Sequence, residues 1–213
     1  MQKRVEKKFI INSIYDDSII NLIQTSIGFK EIYEERQINN IYFDDFNLSR
    51  FYANINGNFF KEKWRLRWYG NTFGKGKTIT LEQKSRLGNV QFKKSETNLN
   101  LDIYKNMFTN IFYDKIPKKL KNLYIINFNK YNRRYFANKD KSIRITLDKN
   151  ILYSNIFKEK IFRLNKTYND KRIILEIKSF INNEDLIQNI CQKLPLRVSR
   201  NSKYINGIIS TLR

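Results

Sequence analysis

The chain has 213 residues and a formal net charge of +21, from 41 Lys and Arg residues against 20 Asp and Glu residues. Hydrophobic residues make up 41% and aromatic residues 15%, which is too much apolar material for a disordered basic tail. A folded chain this basic is expected to meet a polyanion, such as nucleic acid, an anionic membrane surface or a phosphorylated molecule.

The chain contains no histidine and a single cysteine, Cys191. This composition excludes Ser-His and Cys-His nucleophile pairs, histidine-bound metals, zinc clusters and a disulfide within the chain. Any metal is therefore expected on oxygen ligands, which favours Mg²⁺ or Mn²⁺. No segment is typical of a signal peptide or a membrane span, so we predict a soluble cytoplasmic protein that forms one domain over residues 1–213.

Four segments show the spacing of apolar residues that predicts a helix. They are residues 16–28, 102–112, 183–194 and 202–213, and the last has Ser202 as its N-cap. Cys191 lies at helical spacing from its apolar neighbours, so we expect it in the core. Seven segments are predicted as strands, namely 4–11, 38–45, 63–70, 77–85, 125–137, 142–149 and 172–180. Many strands with few helices predict an α+β fold with a large, mainly antiparallel sheet.

The stretch KWRLRWYG places two arginines on one face of a predicted strand. Arg65 and Arg67 alternate with Trp64, Leu66 and Trp68, and alternation with period two is typical of a strand with two unlike faces. The two guanidinium groups then lie roughly 7 Å apart. Such a pair is either a solvated outer surface or a site for a strongly negative ligand.

Charged faces recur on the other predicted strands. The side chains that share these faces are Arg4, Glu6, Lys8, Thr78, Thr80, Glu82, Lys84, Tyr131, Arg133, Tyr135, Arg144, Thr146, Asp148, Glu176 and Lys178. A sheet face in contact with solvent would explain the charged side chains of any one strand. The repetition of such faces on several strands, and their preference for arginine, favour phosphate recognition. If the sheet closes into a barrel, these cations converge, and their repulsion is tolerable only around a bound anion.

Eight motifs in chain order resemble those of one known family. RVEKKF, YFDD, WRLRWYG, LEQKSRLG, YNRRYF, IRITLD, LEIKSF and SRNSKYINGI resemble motifs of the vacuolar transporter chaperone (VTC) domain. That domain is the polyphosphate polymerase branch of the triphosphate tunnel metalloenzymes, which are relatives of the CYTH enzymes. The resemblance runs from Arg4 to Gly207. It implies an antiparallel β-barrel that forms a tunnel, with helices packed outside it and a C-terminal helix.

The resemblance also implies the ligands and the site residues. The tunnel would bind the triphosphate of ATP and polyphosphate, together with Mn²⁺ or Mg²⁺. The residues implied to bind phosphate are Lys8, Arg65, Arg67, Lys84, Tyr131, Arg133, Arg144, Lys178, Arg200, Ser202 and Lys203. Of these, the residues implied to be catalytic are Arg65, Arg67, Lys84, Arg144 and Lys203. Glu176 matches the metal-binding glutamate, and Glu6 and Glu82 are either further metal ligands or salt-bridge partners of nearby lysines.

Two departures from the family pattern and one undetermined strand register bear on these expectations. Arg4 stands where CYTH phosphatases and cyclases have the first glutamate of E-x-E-x-K, which favours the VTC branch. Arg133 and Arg134 are adjacent, and the sequence does not decide which of them faces the phosphate. Lys93 or Lys94 is a further tunnel candidate, but the sequence does not fix the register of this segment.

The first hypothesis for function is therefore transfer of the γ-phosphate of ATP to a polyphosphate chain. With water as the attacking group the same fold would be a tripolyphosphatase. A non-catalytic module that binds polyphosphate or nucleic acid is the alternative of another class, because the aromatics of WRLRWY could stack on bases. Carboxylates on the charged faces argue against nucleic acid. No membrane-protein partner is visible in the sequence.

Overall fold

A computed structural model describes residues 4–74, 78–88, 90–99, 116–159, 166–180 and 183–211. In this part of the chain the strands are β1 (Arg4–Asn12), β2 (Lys30–Asp44), β3 (Phe60–Tyr69), β4 (Ile79–Leu87), β5 (Val90–Leu99), β6 (Tyr124–Ala137), β7 (Ile143–Glu159), β8 (Lys166–Asp170) and β9 (Arg172–Phe180). The helices are α1 (Asp16–Asn21), α2 (Ser49–Ile55), α3 (Glu184–Lys193) and α4 (Lys203–Thr211). The fold is α+β, as predicted.

The strands follow the order β1-β9-β7-β6-β2-β3-β4-β5, with β8 beside β7. The pairs β1/β9, β9/β7, β2/β3, β3/β4 and β4/β5 are all antiparallel. Among the described residues this order has two ends, β1 and β5, so the prediction of a closed barrel is wrong. The edge of β1 is met by another segment, since Val198 pairs with Phe9 and the Ser199 amide donates to the Lys8 carbonyl at 2.7 Å.

Most of the predicted helices and strands are present in the structure. Several elements with polar sequences were not predicted. Strand β2 begins eight residues before its predicted start at residue 38, in the polar stretch KEIYEERQ. Strands β5 and β8 and helix α2 were not predicted. The sequences of β5 and β8 lack a continuous apolar stripe, so pairing with neighbouring strands rather than burial specifies these two strands. The predicted helix over residues 102–112 lies outside the described residues.

The chain divides into two compact units. The first comprises Met1–Arg36, Tyr131–Ile151 and Asp170–Asn201. The second comprises Gln37–Lys130, Leu152–Asn169 and Ser202–Arg213. The expectation of one domain over residues 1–213 stays a prediction.

The core of the first unit lies between its sheet strands and helices α1 and α3. Phe9, Ile145 and Ile177 point into it from β1, β7 and β9, and Ile187 points into it from α3. Cys191 is half-buried and packs against the same cluster. The predicted core position of this cysteine is therefore confirmed, at the margin of the core.

The second unit has two apolar clusters. The larger one contains the buried residues of β3, β4 and the start of β6. The smaller one joins Tyr42 and Phe51 to Tyr204 and Ile208 of α4. Helix α4 approaches β6 closely at Gly207, where a Cβ atom would lie 2.4 Å from Oδ1 of Asn127. Only glycine fits this approach.

Two adjacent aspartates at the end of β2 start helix α2. The Asp44 carboxylate accepts from the amides of Arg50 at 3.1 Å and Phe51 at 2.9 Å. The Asp45 carboxylate accepts from the Ser49 amide at 3.0 Å. The first-turn amides, which have no partner inside a helix, are thereby satisfied. In the part of the chain that the structure describes, no helix has both the length and the apolar character needed to cross a membrane.

Candidate phosphate-binding site

Strand β3 presents its two arginines on one face, as the alternation predicts. Trp64, Leu66 and Trp68 are buried in the core of the second unit. The side chains of Arg65 and Arg67 lie on the opposite face with only 13% and 11% of their surface exposed. A solvated outer face would leave them far more exposed, so this face is not an ordinary wet surface.

Glu82 on the neighbouring strand β4 holds Arg65 in place. The two residues are directly opposite in the strand register, and Nε of Arg65 donates to Oε2 of Glu82 at 2.7 Å. Nη2 of Arg65 forms an ion pair with the same carboxylate oxygen. On the other side, Nη1 of Arg65 donates to the Tyr42 hydroxyl of β2 at 3.1 Å. Neighbours on both strands therefore fix the orientation of this guanidinium group.

Arg67 is held by an amide pair. Its Nε donates to Oδ1 of Asn40 at 2.9 Å, and Nδ2 of Asn40 donates to Oδ1 of Asn129 at 3.0 Å. Both asparagines are fully buried. Nη1 of Arg67 also lies 3.9 Å from Oε1 of Glu82. The buried amides orient Arg67 without neutralising its charge.

Strand β5 brings a third cation to Glu82. Nζ of Lys93 lies 2.8 Å from Oε1 of Glu82, and the register pairs Lys93 with Lys84, which is exposed. Lys94 is paired with Gln83 and therefore faces the other side of the sheet. The register places Lys93, and not Lys94, on the face of Glu82. We call Arg65, Arg67, Glu82 and Lys93 the arginine cluster.

The charges of the arginine cluster are strongly coupled. Burial by itself raises the pKa of Glu82, but the charges of Arg65, Arg67 and Lys93 lower that pKa more, so it lies well below its ordinary value of 4.5. At neutral pH the cluster therefore carries three positive charges and one negative charge. This excess of positive charge, two thirds of which lies on the largely buried Arg65 and Arg67, favours a polyanionic ligand. The same contacts make Glu82 a salt-bridge partner, which is one of its two predicted roles.

Helix α4 begins beside another lysine of β3. Nζ of Lys63 donates to Oγ of Ser202 at 3.0 Å, and this Oγ also accepts from the Ile205 amide at 3.5 Å. Ser202 is thus the N-cap that the sequence predicted. Lys203, the first residue of α4, is half-buried. Lys63 was not among the predicted phosphate ligands, although it shares the strand parity of the two arginines.

In the first unit, four alternating charges share one face of β1 and β9. The register pairs Glu6 with Lys178 and Lys8 with Glu176. Along each strand, Nζ of Lys8 lies 2.9 Å from Glu6, and Nζ of Lys178 lies 3.0 Å from Glu176. Lys8 also donates to the Asn201 carbonyl at 3.1 Å. We call Glu6, Lys8, Glu176 and Lys178 the glutamate cluster.

Glu176 is the most buried member of the glutamate cluster. Burial by itself raises its pKa, but the Lys178 charge and a hydrogen bond with Glu6 help to lower it more, so the pKa lies well below 4.5. Strand β7 places Thr146 directly opposite Glu176. The buried Oγ1 of Thr146 has no hydrogen-bond partner among the described residues. Two carboxylates and an unsatisfied hydroxyl therefore belong to one patch of this face.

The two adjacent arginines of β6 lie on opposite faces. Arg133 makes a bidentate pair with the buried Asp148, with distances of 2.5 and 2.7 Å. Arg134 makes a bidentate pair with Glu31, with distances of 2.8 and 2.7 Å. Burial by itself lowers the pKa of Arg133, but the charges of Asp148 and Glu176 help to raise it well above its ordinary value. Arg133 is therefore the arginine that belongs with the glutamate cluster.

The remaining predicted residues differ in exposure. Tyr131 is buried, and its ring centroid lies 5.3 Å from the Arg133 guanidinium carbon. Arg144 is exposed and lies opposite Lys178 in the register. Arg200 is exposed in the segment before α4. The phosphate-binding role of each of these residues stays a prediction.

The fold places the chain in a known class. Similar solved structures include the PH1819 protein from Pyrococcus horikoshii OT3, with 15% identity over 97% of this chain and 96% of that chain and a TM-score of 0.54. A proposed adenylate cyclase (bh2851) from Bacillus halodurans matches with 13% identity over 96% of each chain and a TM-score of 0.55. The Schizosaccharomyces pombe Mediator head module contains a chain that matches with 10% identity over 94% of this chain and 100% of that chain, with a TM-score of 0.55. These likenesses show that the chain shares its fold with these proteins.

The family follows from the sequence model of the VTC domain, which matches residues 3–212. The chain therefore belongs to the VTC domain family, and the resemblance drawn from its eight motifs is confirmed. No curated protein sequence matches the chain.

Proposed function

We propose that the protein is a polyphosphate polymerase that transfers the γ-phosphate of ATP to the end of a polyphosphate chain. Membership of the VTC domain family and the fold shared with a proposed adenylate cyclase support phosphate chemistry in general. The observation that carries the proposal is the arginine cluster, in which Arg65, Arg67 and Lys93 surround a single carboxylate at distances of up to 3.9 Å. Planar guanidinium groups in fixed orientations suit a row of phosphate oxygens.

In this mechanism the side chains of the protein bind the phosphates and neutralise their negative charge. A terminal oxygen of the polyphosphate chain attacks the γ-phosphorus, a new P–O bond forms, and the bond from the γ-phosphorus to the β-phosphate oxygen breaks with release of ADP. The attacking oxygen is already ionised, so no general base is needed. Arg65, Arg67 and Lys93 would stabilise the charge that spreads over the transferred group. Lys84 and Lys203 are proposed to contact the part of the polyphosphate chain that is exposed to solvent.

A divalent cation fits the glutamate cluster. Mg²⁺ and Mn²⁺ need only one or two carboxylates when substrate phosphates and water complete the shell. Glu6 and Glu176 supply such a pair, and the unsatisfied Thr146 hydroxyl lies opposite Glu176. The described residues contain no group of three or more Cys, Asp or Glu side chains that could hold a metal. We therefore propose Glu176, with Glu6, as protein ligands, and the cation would neutralise phosphate charge.

One assay tests the reaction. The purified protein is incubated with ATP and Mn²⁺, and the products are separated on a gel that resolves long-chain polyphosphate, with ADP and free phosphate measured in parallel. Polymer together with ADP is expected. Free phosphate from tripolyphosphate without polymer would mean a hydrolase.

A second measurement distinguishes the proposed enzyme from a module that only binds polyphosphate or nucleic acid. Tight polyphosphate binding without either product would mean a non-catalytic module. Binding to single-stranded nucleic acid that falls steeply with salt and needs no divalent cation would favour a nucleic-acid module instead. Either result would overturn the proposed reaction.

A further inference from the structure

The hairpin of β4 and β5 ends in a group of exposed apolar side chains. The register pairs Phe60 with Leu87 and Leu87 with Val90, so these three lie side by side on one face of three strands. Phe92 follows two residues after Val90 on the same face. The Phe59 carbonyl accepts from the Gly88 amide at 2.9 Å, which ties Phe59 to the hairpin turn. We call these five apolar residues the hairpin patch.

The hairpin patch is exposed to an unusual degree for residues of this type. The exposed fractions are 71% for Phe59, 53% for Phe60, 45% for Leu87, 46% for Val90 and 37% for Phe92. Single exposed apolar residues are common, whereas a contiguous group of five large ones marks an interaction surface.

The position of the patch explains its exposure. Phe60 has the strand parity of Trp64 and Leu66, which are buried in the core of the second unit. The apolar face of the sheet thus continues beyond the end of its core. The opposite face of the same strands carries the arginine cluster, so the patch is separate from the proposed phosphate site.

The hairpin that carries the patch is strongly basic. Residues 83–95 contain the four cations Lys84, Arg86, Lys93 and Lys94 and no acidic residue. Lys94 is exposed on the patch face, opposite Gln83. Arg86 lies beside the turn, where its Nε donates to the Gly88 carbonyl at 2.7 Å. The register puts Lys94 on the patch face and Lys84, Arg86 and Lys93 on the opposite face, so the apolar tip carries cations on both sides of the hairpin.

We propose that the hairpin patch docks on the surface of an anionic membrane. Aromatic and aliphatic side chains enter the boundary between headgroups and acyl chains, while neighbouring Lys and Arg residues pair with anionic headgroups. Charge complementarity favours this occupant over a second copy, because two chains of formal charge +21 would repel each other across this basic tip. This inference does not depend on the proposed reaction.

The test uses vesicle flotation with two lipid compositions. The full chain is mixed with vesicles of phosphatidylcholine alone or with added phosphatidylserine, at 0.15 M and at 0.5 M salt. The variant Leu87→Gln/Phe92→Gln removes two exposed apolar side chains outside the arginine cluster. Ile14→Gln is the matched control, since Ile14 is 74% exposed and does not belong to the hairpin. Val90→Gln is a milder second variant, and circular dichroism checks the folding of each.

Wild-type protein and the control should bind phosphatidylserine vesicles equally, and part of this binding should persist at the higher salt. The double variant should bind at least about tenfold more weakly, and Val90→Gln should be intermediate, because burial of apolar area contributes to the affinity. Equal binding of all variants, or binding that salt abolishes completely, would mean attraction by net charge alone and would overturn the proposal. Loss of self-association in the variants without a change in vesicle binding would assign the patch to a protein interface and overturn it as well.

Discussion

The hydroxyl of Tyr204 donates a hydrogen bond of 2.5 Å to the fully buried carboxylate of Asp44. This bond joins helix α4 to the end of β2, at the point where Asp44 also holds the first-turn amides of α2. Burial, followed by the Asp44 charge, raises the pKa of Tyr204 well above its ordinary value of 10.0, so the hydroxyl stays a donor at all working pH values. A side chain 160 positions away along the chain thereby positions the helix that begins at Lys203.

Tyr204→Phe should destabilise the protein by about 1–3 kcal/mol, because it leaves a buried carboxylate oxygen with one donor fewer. Urea denaturation followed by circular dichroism measures the free energy of unfolding. Tyr52→Phe is the control, since Tyr52 is 53% exposed and its substitution should cost little. Equal stability of the two variants would show that the bond to Asp44 is not important for folding.

Arg67→Ala should weaken tripolyphosphate binding by roughly 10- to 100-fold, the range expected for loss of a hydrogen bond to a charged ligand. The fold should persist, since Arg67 packs on amides and not in the apolar core. Titration calorimetry measures the affinity. Arg134→Ala is the matched control, because Arg134 pairs with Glu31 on a different strand face from Arg133 and should leave the affinity unchanged.

The assignment of Arg67 would be wrong if the thermal midpoint collapsed while the folded fraction still bound tripolyphosphate normally. It would also be wrong if the Arg134 variant lost as much affinity as the Arg67 variant. Arg133→Ala adds a further comparison, and we expect it to lower the affinity more than Arg134→Ala does.

Glu176→Gln should abolish turnover of ATP at limiting Mn²⁺ while tripolyphosphate binding is largely retained. The substitution keeps the size of the side chain but removes the charge that a hard cation needs. Product gels measure turnover and calorimetry measures binding. Glu184→Gln is the control, since Glu184 is exposed at the start of α3. Full activity of the Glu176 variant at limiting Mn²⁺ would place the cation elsewhere.

The stability of the protein in acid should depend on Glu82. Because the pKa of Glu82 in the folded protein lies well below 4.5, its ionised form stabilises the fold above that pH. This stabilisation is lost as the pH falls below 4.5 towards the pKa of the folded protein. Glu82→Gln should therefore lose less stability than the wild type between pH 5 and pH 3, roughly the window of this titration.

Urea denaturation at several pH values measures this difference, with the exposed Glu34→Gln as control. The control should follow the wild-type curve. Parallel curves for the wild type and the Glu82 variant would mean that the contacts of Glu82 with the arginine cluster do not stabilise the folded state.

The sequence by itself determined which faces of the strands carry charge. Alternation with period two is a property of the strand backbone, so the separation of Arg65 and Arg67 from the buried Trp64 and Leu66 followed from their spacing alone. The same reasoning led to the α+β class and to the core position of Cys191. Ordered motifs, rather than composition, led to the VTC family, which the match over residues 3–212 confirms.

Only the tertiary structure decided which strands lie side by side and in which register. The pairing of β4 with β5 put Lys93 rather than Lys94 beside Glu82, and β5 itself was missed because its sequence is polar. The ends of the strand order at β1 and β5 corrected the predicted barrel. Lys63 meets Ser202 across 139 positions of chain. Such pairings depend on the packing of distant segments, which local spacing does not encode.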